Sequence, residues 1–233
     1  MMIAQLLPML WLSGAFLLLF IVAEVLYRKA HVQAEHTRKL VHAGTGLLTL
    51  LFPLVLDEVW QVVAMCGSFL LLLVASMRLG WLPSINAVER KTAGSWLFPV
   101  VVVLCFVFYR QVCNGPGALY QPLFYFYTPL LLLALCDPVA ALVGRWWSRR
   151  HPQAAPGKTW AGSGAFFALA MLIVLVSGQA FALRQIPAIS AVAVAVATAF
   201  ATTAAERWSG GGWDNFTIPV TAMLSIWLAG FVL

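Results

Sequence analysis

Eight apolar runs, parted by short loops that hold most of the charge, leave this chain little way to fold except across a lipid bilayer. They lie near Ile3 to Leu26, Leu40 to Leu56, Val59 to Met77, Ser95 to Tyr109, Gln121 to Val143, Ala161 to Leu183, Ile186 to Glu206 and Phe216 to Leu233. A spanning helix takes about 20 apolar residues, so eight of them fill the 233 residues and no separate soluble domain fits. Composition agrees, with 9% charged residues against about 25% in a soluble domain. The Ala/Val alternation from Ala191 to Ala197 imitates a strand, yet an open strand in lipid would leave its backbone unpaired, and helix is expected there. The expected architecture is all-α: a polytopic integral membrane helix bundle forming one domain, residues 1–233, with no internal repeat or linker.

The loops set the orientation. Twelve of the 14 Lys and Arg fall in one alternating set of loops, and the other set holds only Arg110 and Arg184. By the positive-inside rule the first set is cytoplasmic, and eight spans then put both termini outside. The formal charge of +6 is therefore topological and points to no nucleic acid. The four cysteines form no C-x-x-C pair, and Cys66, Cys105 and Cys136 lie in apolar runs, so neither a disulfide framework nor a zinc site is indicated. The first run is too long for a signal-peptide core and reads as a retained span.

Chemistry-bearing residues gather on the basic side. Glu35, Arg38, Lys39 and His42 stand at i, i+3, i+4 and i+7 and share one helix face, so a polar stripe enters the membrane where the second span begins. Snorkelling explains Arg38 and Lys39 but not an ionisable His42 one turn deeper. Glu89-Arg90-Lys91-Thr92, taken alone, reads as an ordinary charged loop. Asp137, preceded by the apolar stretch Leu130 to Cys136, is costly in lipid unless it faces a partner or a wet cavity. Ala140, Ala141 and Gly144 follow it at helical spacing, a small-residue face that lets a helix or ligand approach. A carboxylate there is either a Mg²⁺ ligand or a packing group paired with an arginine.

Pro156-Gly157-Lys158-Thr159 opens the sixth span with Gly162-Ser163 behind it, but Pro152 stands where a Walker glycine belongs. What survives is a lysine, glycines and hydroxyls at a helix amino terminus, which favours phosphate. Glu206 closes the seventh span, and Asp214-Asn215 introduces the eighth, as a helix cap or as part of a site. Three carboxylates, Asp137, Glu206 and Asp214, with Arg38, Lys39, Lys158 and the pair Arg90 and Lys91, suit a metal-bound polyphosphate. Serine-hydrolase and zinc-protease motifs are absent, and His31, His36, His42 and His151 lack metal-ligand spacing.

These blocks, in this order, resemble the membrane-embedded CTP-dependent lipid kinases that act on phytol, dolichol and diacylglycerol, relatives of phosphatidate cytidylyltransferase. The resemblance rests on Glu35-x-x-Arg38-Lys39-x-x-His42, Glu89-Arg90-Lys91-Thr92 with Phe98-Pro99, Asp137-Pro138-x-Ala140-Ala141-x-x-Gly144-Arg145, Gly157-Lys158-Thr159-x-x-Gly162-Ser163, and Glu206 with Asp214-Asn215-x-x-x-Pro219. It departs at Ala161, where the family often has an acid, and at Ser148, where it often has glycine. The resemblance implies phosphoryl transfer from CTP to a membrane lipid alcohol at the cytoplasmic face. Asp137, with Glu206 or Asp214, would hold Mg²⁺, and Lys158, Arg38 and Lys39 would bind the triphosphate. Arg90, Lys91, Gly144, Arg145, Gly157, Thr159, Gly162, Ser163 and Asn215 would complete the nucleotide site, with His42 or a carboxylate taking the hydroxyl proton. A CDP-lipid synthase would use the same ions, and an ion-coupled transporter would want Asp137 and Glu206 at midplane rather than beside basic loops. Monomer and homodimer are both compatible with this reading.

Overall fold

The computed structural model describes residues 2–86, 93–111, 120–152, 157–182 and 186–232. Apart from one isolated bridge, Tyr120 to Ala182, regular structure among them is helical. The order is α1 (Met2–Lys29), α2 (Ala34–Thr49), α3 (Phe52–Val55), α4 (Val59–Leu79), α5 (Pro83–Asn86), α6 (Gly94–Gln111), α7 (Pro122–Leu131), α8 (Asp137–Arg150), α9 (Trp160–Ala180), α10 (Ala188–Trp208) and α11 (Asp214–Val232). A π-helical segment, Leu132–Cys136, joins α7 to α8 without a break. The Ala/Val stretch is helical, inside α10.

Among the described residues, five helices are long and apolar enough to cross a membrane: Gln5–Lys29, Val59–Leu79, Pro122–Arg150, Trp160–Ala180 and Ala188–Trp208. Trp96–Gln111 is a shorter apolar helix. The second expected span is not one helix. It divides between α2, which carries the polar stripe, and α3, where Pro53 stands in the first turn and has no N–H to continue a helix. Outward faces are apolar, as Leu10, Trp11, Leu18, Leu71, Ile189 and Phe200 show, and lipid is the environment such a surface fits.

Between lipid-embedded helices, packing and hydrogen bonds take over from the hydrophobic effect. Phe106, Phe124, Phe126 and Phe166 are fully buried at the centre, with the Phe106 and Phe126 rings edge to face at 5.8 Å. Thr128 Oγ1 donates to Ser177 Oγ across α7 and α9 at 3.0 Å, a contact worth about 0.6–2 kcal/mol in such a setting. Gln61 Nε2 donates to the Gln5 carbonyl at 2.8 Å and ties α4 to α1.

Small residues then set the approaches that matter for the ionic groups. A Cβ on Gly46 would lie 2.4 Å from the Ala134 Cβ, so α2 presses directly on the π-helical segment. One on Gly162 would lie 2.7 Å from the Ala140 carbonyl oxygen, so the first turn of α9 lies against the α8 backbone one turn beyond Asp137. Gly212, at φ +90°, adopts a conformation that L side chains rarely take, and a Cβ there would lie 2.3 Å from the Gly94 nitrogen. The turn before α11 is thereby held against the start of α6.

Candidate active site

Two ionic groups form. In the first, Thr159 caps α9 by accepting from the Gly162 N–H at 3.1 Å, which places Lys158 just before the helix and Ser163 in its first turn. Lys158 Nζ lies 2.9 Å from Glu206 Oε1 at the end of α10 and 3.3 Å from Asp214 Oδ2 at the start of α11, and it also donates to the Glu206 carbonyl. Glu206 is only 4% exposed, so its charge requires these partners, together with the Ser163 hydroxyl at 3.4 Å. Arg207 donates to the Lys158 carbonyl at 3.3 Å and to Ser163 Oγ at 3.4 Å, with its guanidinium 3.7 Å from the Trp160 ring centroid. Sequence reasoning had passed over Arg207 as a site residue, although its place directly after a helix-terminal glutamate was a signal.

In the second group α2 meets α8. Glu35 takes Arg38 at 3.2 Å and Arg145 at 3.3 Å. Two guanidinium nitrogens, Arg38 Nε and Arg145 Nη2, are buried with no hydrogen-bond partner. Lys39 lies among them, outside the five spanning helices. Burial pushes its ammonium down to about 8; Arg145 adds to the effect, while Asp137 and Glu35 oppose it.

His42 and Asp137 meet through backbone chemistry. A π turn pairs the carbonyl of residue i with the amide of i+5, and for Leu133 that amide belongs to Pro138, which has no hydrogen. The Leu133 oxygen instead lies 3.2 Å from His42 Nε2. A carbonyl can only accept, so Nε2 bears the proton and donates. The same nitrogen lies 3.9 Å from Asp137 Oδ2. With Nε2 so engaged, the Asp137 carboxylate stands beside it.

The two groups approach each other at two places. A Cβ on Gly144 of α8 would touch Thr159 Oγ1 at 3.0 Å. Asn215, next to Asp214, donates to the Gly94 carbonyl at 3.0 Å and borders the same cleft as Arg38 and His42. Gly157 takes φ +120° before Lys158, a conformation suited to glycine in a turn. Arg90 and Lys91 lie outside the described residues. Among the described residues no three of His, Cys, Asp and Glu gather as metal ligands. Asp137 is met by His42, whereas Glu206 and Asp214 converge on Lys158. That ammonium is a cation held between carboxylate oxygens, the donor chemistry a Mg²⁺ ion takes.

Against this geometry the likeness to known proteins can be read. A family model described as the cytidylyltransferase family matches residues 1–205. The chain belongs to that family. It is also 31% identical over 215 residues to phytol kinase of Synechocystis sp. (strain ATCC 27184 / PCC 6803 / Kazusa), covering 91% of this chain and 87% of the relative. No solved structure matches. The family match embraces α1 to most of α10, and with it both arms of the α2–α8 group.

Proposed function

We propose that this chain is a CTP-dependent kinase that phosphorylates the hydroxyl of a membrane lipid alcohol, of phytol or polyprenol type or diacylglycerol, at the cytosolic face of the bilayer. Eight spans with both termini outside would put the basic loops on that face. The observation that carries the reading is the α2–α8 group, where partly unbonded Arg38 and Arg145 meet on Glu35, Arg38 and His42 border an apolar cleft, and Asp137 lies 3.9 Å from His42.

The lipid hydroxyl oxygen would form a bond to the terminal phosphorus of CTP as the bridging oxygen bond to CDP breaks, and the hydroxyl proton would pass to Asp137. Such a transfer needs positioning and charge neutralisation more than covalent help. Arg38, Lys39, Arg145 and Lys158, with Arg90 and Lys91, would neutralise the triphosphate. Gly144, Gly157, Thr159, Gly162, Ser163 and Asn215 would shape its bed. Glu206 and Asp214, which converge on Lys158, are the residues that would hold Mg²⁺, whose chemistry is to draw charge from the phosphate oxygens, while Asp137, placed at His42, takes the proton. His42, held by the proton it directs at the Leu133 carbonyl, would stand beside the Asp137 carboxylate and the bound hydroxyl.

The family description favours a second reading, in which a lipid phosphate attacks the innermost phosphorus of CTP and pyrophosphate leaves. One experiment decides. The protein is reconstituted with CTP labelled either in its terminal phosphate or in its cytosine ring, and phytol, polyprenol, diacylglycerol and phosphatidate are offered in turn. Terminal-phosphate label in the lipid is the expected result. Ring label in the lipid overturns the kinase reading in favour of the synthase.

A further inference from the structure

The space bordered by Arg38 and His42 continues far beyond them. An open cleft runs between α1, α2, α4 and α6. On α2 it is lined by Val41, His42, Thr45 and Thr49 below Arg38, positions three or four residues apart that share one helix face. From Arg38 to Thr49 the axis advances about 17 Å at 1.5 Å per residue. The opposite wall is again one helix face, Met65, Cys66, Phe69 and Leu73 of α4.

Polarity falls away along this length. Arg38, His42 and Asn215 border one end. Further in, the Thr45 hydroxyl donates to the Val41 carbonyl at 2.7 Å and the Thr49 hydroxyl to the Gly46 carbonyl at 2.6 Å, so neither has its proton to offer a ligand. Beyond Thr49, rings stand across the end. Phe52, 2% exposed, meets the Phe16 ring edge to face at 6.0 Å, and Phe16 lies 5.0 Å from Phe69. Those two spacings leave the far end narrow. Lipid-facing apolar surface needs no such internal channel with a polar mouth, whereas an amphipathic single-chain molecule fits one end to end.

We propose that this cleft is the tail site for a single-chain alcohol, and that Phe16, Phe52 and Met65 form the wall that limits its length. An extended chain of about 17 Å has roughly fourteen backbone carbons, which lies between farnesol and geranylgeraniol. Its hydroxyl then rests at Arg38 and His42, beside Asp137. The assignment of that hydroxyl as the phosphoryl acceptor rests on the kinase reading above, but occupation of the cleft does not.

The full-length protein in vesicles is tested in two ways. The first measures kcat/KM for phosphate transfer from CTP to geraniol, farnesol, geranylgeraniol and solanesol. The expected profile rises to geranylgeraniol and falls for solanesol by about tenfold or more. Cys66→Trp, which fills the inner end of the cleft beside Met65, should cut the geranylgeraniol value about tenfold and leave geraniol within about twofold. An equal loss for every alcohol, or none, overturns the length-limiting wall. The second test uses the unaltered protein and a farnesol analogue with a photoreactive diazirine at its tail. Label on Met65, Cys66 or Phe69 supports the tail site, and label confined to the outward Val63 and Leu71 overturns it. Label in the cleft with no phosphate transferred to any alcohol leaves the tail site standing and removes the kinase reading instead.

Discussion

The two ionic groups close their charges differently. Around Glu206, two carboxylates face two cations, and the Lys158 ammonium, the Arg207 guanidinium and the Ser163 hydroxyl each have a partner. Among the described residues, three cations face two carboxylates around Glu35 and Asp137, and two buried guanidinium nitrogens have no acceptor. Leaving a buried donor unbonded costs about 1–3 kcal/mol. The first group is complete as a clamp on three helix ends. The second leaves donors open among the described residues, and a phosphate chain would satisfy them.

If the open group is the chemical centre, its carboxylate is the most sensitive position in the molecule. Asp137→Asn keeps the size and removes the proton acceptor, and kcat should fall by about a thousandfold, within the usual range for a general base. The melting temperature should hardly move, because Asp137 meets a histidine at 3.9 Å rather than a tight ion pair. Activity within twofold of the original would remove Asp137 from the mechanism.

The closed group should answer in the opposite order, stability first. Lys158→Met leaves the Glu206 carboxylate buried without its ammonium, which costs about 3 kcal/mol and lowers the melting temperature along with activity. Adding Glu206→Gln removes the stranded charge and should restore most of the melting temperature while activity stays low. A Lys158→Met protein as stable as the original would mean that the clamp is not holding the helix ends.

How far the residues could be read in advance differs between the groups for a physical reason. The stripe Glu35, Arg38, Lys39, His42 was visible because helical spacing places those side chains on one face, and α2 does so. Asp137 stood out because an acid within an apolar run is costly. What spacing could not supply was the π-helical segment before it, against which α2 presses Gly46 and whose Leu133 carbonyl takes the His42 proton. Nor could spacing show the division of the second span, since Pro53 breaks a run whose hydropathy is continuous. The cleft was invisible for a different reason. Phe16, Met65 and Cys66 have the same periodicity as side chains that simply pack, and only the gap between α1, α2 and α4 distinguishes them. In the closed group, Lys158 and Glu206 were legible as charges, but their pairing across 48 residues was not.

A smaller effect sharpens the contrast further. Arg145→Met takes one cation from the open group and leaves Glu35 with Arg38. The KM for CTP should rise about tenfold, equivalent to one charged hydrogen bond of roughly 1.4 kcal/mol, with no loss of melting temperature. Titration of CTP against the reconstituted protein measures it. A stability loss comparable to that of Lys158→Met would show that both groups are structural clamps.

The smallest expected effect is a pH limb. Burial holds the Lys39 ammonium at about 8, so in the free protein it is charged below that pH and neutral above it. Charge favours the triphosphate, so kcat/KM for CTP should be level below pH 8 and decline as pH rises through it. The decline follows the free protein because kcat/KM reports unliganded groups. Lys39→Arg keeps a cation that does not deprotonate in this range, and it should carry the limb to higher pH while CTP still binds. A limb that stays at pH 8 in the Lys39→Arg protein would assign it to another residue and take from the open group the cation that its burial singles out.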